Sequence, residues 1–122
     1  MQNKEKVITY EQKVFLKKAL MQLGINPKNN GFILIQKAII YAYKEDMITI
    51  NLENIYRYIS KQDNISSRGI ESIIRYSFYN INTKKLKSNY ERIFGLEFDF
   101  EYFSIRNIIS DFKDLLEEMY CP

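Results

Sequence analysis

The sequence predicts an all-α, compact six-helix domain that contains a helix-turn-helix. Three observations carry this. Apolar residues recur at helical spacing through most of the 122 residues; only four Gly and two Pro interrupt them; and a polar break at Lys61–Ser67 separates two short amphipathic stretches within residues 52–81. At this length one domain, residues 1–122, with one core is expected. Hydrophobic residues at 46% and charged residues at 27% are those of an ordinary globular chain.

The first helix is expected over Tyr10–Leu23, where Phe15, Leu16, Ala19, Leu20 and Leu23 form one stripe and Gly24 is a natural stop. The second, about Gly31–Lys44, is apolar nearly all round and therefore expected at the centre of the molecule. Leu52, Ile55, Tyr56 and Ile59 define a short third helix. Asp63, Asn64, Ser66 and Ser67 form the turn and offer caps for the fourth. On the fourth helix Ile70, Ile73, Ile74, Ser77 and Ile81 share one sector. Arg68, Ser72, Arg75 and Tyr79 lie opposite, with Glu71 and Tyr76 on the shoulders. Lys84, Lys85 and Lys87 follow as a loop. A short fifth helix is expected at Tyr90–Phe94, closed by Gly95, and an extended or strand-like piece at Leu96–Phe100 from its apolar–acidic alternation. A last helix spans about Phe103–Tyr120 with Ile105, Ile108, Ile109, Phe112, Leu115, Leu116 and Met119 inward.

The charge of +3 is unevenly spread. Residues 1–95 carry +8 and residues 96–122 carry −5, a division that suits a nucleic-acid face with an acidic tail as well as it suits an uneven solvated surface. One cysteine, Cys121, leaves no intrachain disulfide, and the first residues lack the apolar core of a secretory signal; a cytoplasmic location is expected, without membrane association. With no His, one terminal Cys and no phosphate-binding glycine loop, no enzyme, cofactor or metal is expected. Glu97, Asp99 and Glu101 offer oxygen ligands but are expected simply to be solvated.

The outward side of the fourth helix is the better constellation. Arg75 has the fork that guanine O6 and N7 accept, and Glu71 can accept from a cytosine amino group. Arg68 and Ser72 would lie near the bases, with Tyr76 and Tyr79 on sugar, phosphate or thymine methyl. Arg57, Lys61, Lys84, Lys85 and Lys87 would hold phosphates on either side. The plainer alternatives are an i, i+4 ion pair between Glu71 and Arg75, half-buried tyrosines and a lysine-rich loop.

A family resemblance adds to this reading. Leu23–Gly24–Ile25, Gly31–Phe32, Leu34–Ile35, Ala38–Ile39 and Tyr43 look like its opening helices. Ile48–Thr49 and Asn54–Ile55 through Ile59 look like its first helix-turn-helix element. Glu71 and Ile74–Arg75 look like its recognition helix, and Ile93–Phe94–Gly95 like the close of the helix after it. In these residues, from about Leu23 to Gly95, the chain resembles the C-terminal DNA-binding domain of the response regulator that is master regulator of sporulation in endospore-forming bacteria. The resemblance implies six helices, sequence-specific binding of double-stranded DNA, tandem molecules or a homodimer on DNA, and neighbour contacts through the last helix, where Tyr102, Phe103, Phe112 and Tyr120 are candidates. Two departures stand out. Gly69 and Ser72 occupy positions where the family carries DNA-contacting arginines, and the turn at Lys61–Ser67 looks longer. No receiver module occurs within the 122 residues, so control by abundance, a regulatory protein partner or oligomerisation is expected. The expected function is transcriptional regulation through DNA. The alternative is a protein–protein interaction module that modulates a sporulation regulator or RNA polymerase without reading DNA.

Overall fold

The computed structural model describes residues 6–120; Cys121 and the Tyr120 side chain lie outside what it describes. Six helices follow one another: α1 (Tyr10–Leu23), α2 (Asn30–Lys44), α3 (Leu52–Asp63), α4 (Ser67–Tyr79), α5 (Thr83–Phe94) and α6 (Ile105–Tyr120). No strand occurs among the described residues. The fold is all-α, as the periodicity implies.

The near-continuous apolar character of α2 makes it the hub, packed against α1, α3, α4 and α6. Ile35, Ala38, Ile39, Ala42 and Tyr43 are wholly buried; Ile40 and Tyr41 are partly buried, and Ile33 is more than half exposed. Where α2 crosses α4 the backbones approach closely. A Cβ on Gly31 would lie 1.7 Å from Ser77 Oγ and 3.1 Å from the Ile73 carbonyl oxygen. Glycine at 31 therefore sets how deeply α4 sits.

Gln12 ties three helices. Its amide nitrogen donates to the Tyr43 hydroxyl (3.0 Å) on α2 and to the Leu116 carbonyl (2.9 Å) on α6. Its backbone N–H and side-chain oxygen complete a capping box with Thr9 on α1. Such a buried amide is tolerated because each polar atom has a partner.

The structure corrects several expectations. The fifth helix starts at Thr83, so Lys84, Lys85 and Lys87 sit in its first turns rather than in a loop. Asn82 caps it by accepting from the N–H groups of Lys84 and Lys85. Leu96–Phe100 is no strand. Its Phe98 N–H donates to the Glu91 carboxylate (2.9 Å), and the buried Phe98 ring packs on Tyr90, Phe100 and Phe103. Side-chain anchoring replaces a strand partner there. The break between α3 and α4 shrinks to Asn64–Ser66, since α3 runs on to Asp63 and ends on Asn64 in the left-handed conformation (φ 57°). Ile81 lies beyond the end of α4, yet it is buried. The last helix begins at Ile105 rather than Phe103, and Met119 is exposed rather than inward.

Candidate nucleic-acid interface

The α3–turn–α4 unit is pinned to the hub at two places. Lys37 on α2 pairs with Asp63 at the end of α3 (2.6 Å), and the Tyr41 and Tyr58 rings stack with centroids 4.1 Å apart. The turn is short because Asn64 adopts a backbone conformation that asparagine tolerates better than most residues. Ser66 then caps α4 by accepting from the Gly69 N–H (3.0 Å).

Packing divides α4 into two sides. Ile70, Ile74, Ser77 and Phe78 are buried. Ser77 is accommodated there because its hydroxyl donates to the Ile73 carbonyl one turn back (3.0 Å). Arg68, Ser72, Arg75, Tyr76 and Tyr79 are exposed, the tyrosines by 63% and 77%, which removes the half-buried alternative for both rings. Glu71 is partly exposed and forms an ion pair with Arg75. Sequence spacing alone therefore brings the six proposed base-reading residues onto one helix and mostly into solvent.

The proposed phosphate-binding cations are exposed as well, but they are not equivalent. Arg57 is paired with Glu53 (3.1 Å) and Lys87 with Glu91 (3.1 Å). Among the described residues, Lys61, Lys84, Lys85 and Arg68 have no ion-pair partner. The first turn of α5 adjoins the end of α4, since Thr83 and Leu86 line the same groove as Arg75 and Tyr79.

That groove is the feature absent from the sequence reading. It has a volume of about 710 Å³ and runs between α4, the starts of α3 and α5, and residues 100–107. Tyr56 of α3 lines it, 5% exposed, with a buried hydroxyl that has no hydrogen-bond partner. Burial first of all, and the nearby Glu71 carboxylate second, push this hydroxyl's pKa up to about 12. No local pattern signals the groove, because residues far apart in the chain, Arg75 and Arg106 among them, line it together.

Among the dimer candidates, Phe112 is fully buried and so cannot be a contact surface; Phe103 is largely packed against Phe78 and Phe98. Tyr102 is 72% exposed. Among the described residues no cluster of three or more acidic or thiol ligands could hold a metal, and no helix is long and apolar enough to cross a membrane.

Residues 16–115 match the protein-family model described as Sporulation initiation factor Spo0A C terminal. The chain belongs to this family. The match is wider than the sequence landmarks, taking in most of α1 and two-thirds of α6 as well as the helix-turn-helix. Membership of the Spo0A C-terminal family makes the fold that of a DNA-binding effector domain concerned with sporulation transcription. No curated protein and no solved structure matches the chain.

Proposed function

We propose that this domain reads double-stranded DNA in a sequence-specific manner through the outward side of α4 and regulates transcription by doing so. One observation supports this most: Arg68, Ser72, Arg75, Tyr76 and Tyr79 stand in solvent on a helix whose other side is locked onto the hub. A rigid backing matters because base reading needs side chains held in register with the groove.

In this reading α4 enters the major groove. Arg75 turns its guanidinium from Glu71 onto guanine O6 and N7, and the freed Glu71 carboxylate accepts from a cytosine amino group. The cost of parting them is small, since an exposed i, i+4 pair is worth about 0.3–0.5 kcal/mol. A good bidentate contact contributes about 1–3 kcal/mol of discrimination, so the exchange favours the base. Ser72, being short, lets the helix backbone approach the duplex, and Arg68 reaches from the first turn. The loss of arginine at Gly69 and Ser72 leaves Arg68 and Arg75 as the two guanidinium groups of this helix. Lys61, Lys84 and Lys85 then supply phosphate contacts directly, whereas Arg57 and Lys87 must first leave their carboxylates.

The test is fluorescence anisotropy with a labelled mixed-sequence duplex across a salt series. Affinity should fall steeply with added salt, and replacing both Lys84 and Lys85 by Ala should reduce the log–log slope by about 2. No binding even at low salt would contradict the reading and favour an interaction module.

A further inference from the structure

The groove beside α4 pairs an apolar bed with two guanidinium groups and an unpartnered hydroxyl. Phe78, Ile81, Leu86, Phe100, Phe103 and Ile105 supply the bed. Arg75 and Arg106 stand on its rim, both exposed; Arg106 has no ion-pair partner among the described residues, while Arg75 is shared with Glu71. Tyr56, 95% buried, contributes a hydroxyl that has no hydrogen-bond partner within the protein. A buried hydroxyl left without a partner costs stability; this one is closed off from solvent, so an acceptor from outside reaches it only when the neighbouring Glu71 and Arg75 side chains move aside. The volume lies within the range of small-molecule sites, which are mostly apolar with a few converging polar groups.

We propose that this groove binds a small amphipathic carboxylate, its hydrocarbon body on the Phe78–Phe100–Phe103 bed and its head received by Arg106, Arg75 and the Tyr56 hydroxyl. The charges fit an anion: two guanidinium groups face one carboxylate, Glu71, and that carboxylate is already engaged. A single acid head would meet a net positive charge in a groove otherwise lined largely by apolar surface. The hydroxyl remains a neutral donor throughout the physiological range because burial holds its proton.

The site shares Arg75 and Tyr79 with the surface proposed to read DNA. Resting on that reading, a ligand that draws Arg75 into the groove removes a base contact, so ligand and DNA oppose each other. By linkage the opposition is reciprocal. The domain would then respond to a metabolite of this class without any change in its own abundance.

The experiment uses decanoate as the probe and two-dimensional ¹H–¹⁵N spectra of the whole chain, with decanol as the uncharged control. Decanoate should shift the amides of residues 52–56, 75–86 and 100–107 saturably, and decanol should bind at least several-fold more weakly. Tyr56→Phe and Arg106→Gln should each weaken decanoate by about tenfold, the loss of one charge-assisted hydrogen bond. Tyr56→Phe should leave the melting temperature unchanged or raise it, since only an unpartnered hydroxyl is removed; a hydroxyl with a purely structural role would lower it. Absence of saturable shifts in the groove overturns the proposal and leaves the surface to an apolar segment of a partner protein. Decanoate affinity equal to that of the wild type in both variants overturns it too. Because binding is read without DNA, its failure is separate from failure of DNA recognition; competition between decanoate and duplex is measured afterwards.

Discussion

Two ion pairs of the same i, i+4 type sit on two amphipathic helices and behave differently. On α4, Glu71 and Arg75 are 41% and 55% exposed. On α6, Lys113 is 8% exposed and meets Glu117 (2.9 Å), which also receives Lys6 (2.9 Å) from the segment before α1; Lys6 in turn reaches Asp46 after α2 (2.8 Å). The spacing in sequence is identical. Burial separates them: the α6 pair belongs to a three-way tie between distant parts of the chain, while the α4 pair holds nothing together and is free to change partners. A charged pair that can be parted cheaply is what a reading surface requires, and one that cannot is what a fold requires.

The comparison can be broken most forcefully from beneath α4. Ile74→Ala removes a fully buried side chain that seats α4 on the hub, and about 2–5 kcal/mol of stability should be lost in chemical denaturation. A loss below 1 kcal/mol would mean that the inner side of α4 is not the support described. Next in size is the α6 tie. Glu117→Ala strands the buried Lys113 ammonium without its carboxylate, and about 1–2 kcal/mol should be lost, less than for a fully buried pair because Glu117 is one-third exposed. Arg75→Ala, measured the same way, should change stability by less than about 0.5 kcal/mol. If Arg75→Ala destabilised the protein as much as Glu117→Ala, the distinction between the two pairs would fail.

Acid should sharpen the contrast further. Burial works to raise the Glu117 carboxyl, but the hydrogen bonds from Lys113 and Lys6 outweigh it and hold the group below the ordinary carboxylate range. A carboxylate depressed in the folded state stabilises fully above its unfolded value, near 4.5, and that contribution is lost as pH falls through the folded value. The wild type should therefore lose stability below about pH 4.5 more steeply than Glu117→Gln, as followed by thermal melts across pH. Asp111, raised by burial despite the hydrogen bond donated by Tyr90, works in the opposite direction and softens the wild-type decline.

Much of this architecture is legible in the sequence because it rests on local periodicity. The bounds of α1 follow directly from its stripe and from Gly24, and the two sides of α4 follow from the isoleucine spacing. The start of α5 is harder to see: only Leu86 and Tyr90 of that helix are buried, one turn apart, and three lysines conceal the cap at Asn82. The alternation at Leu96–Phe100 misleads because a strand needs a neighbour, and here the backbone is held by Glu91 instead. Gly31 and Gln12 show what periodicity cannot carry, since the reason for each lies on another helix. The candidate site divides along the same line. Its exposed residues share one helix and can be read from spacing, whereas Tyr56, Phe100, Phe103 and Arg106 converge through tertiary packing alone.

The most direct test of the outward side of α4 as the reading surface combines a protein change with a base change. Duplexes selected from a random pool define the preferred site, and each G·C pair in it is then replaced by A·T, with wild type and Arg75→Ala measured on every duplex. At one position the base change should cost the wild type about 1–3 kcal/mol and cost Arg75→Ala almost nothing, so that the two changes are not additive. Losses that simply add at every position would contradict a base-reading role for Arg75.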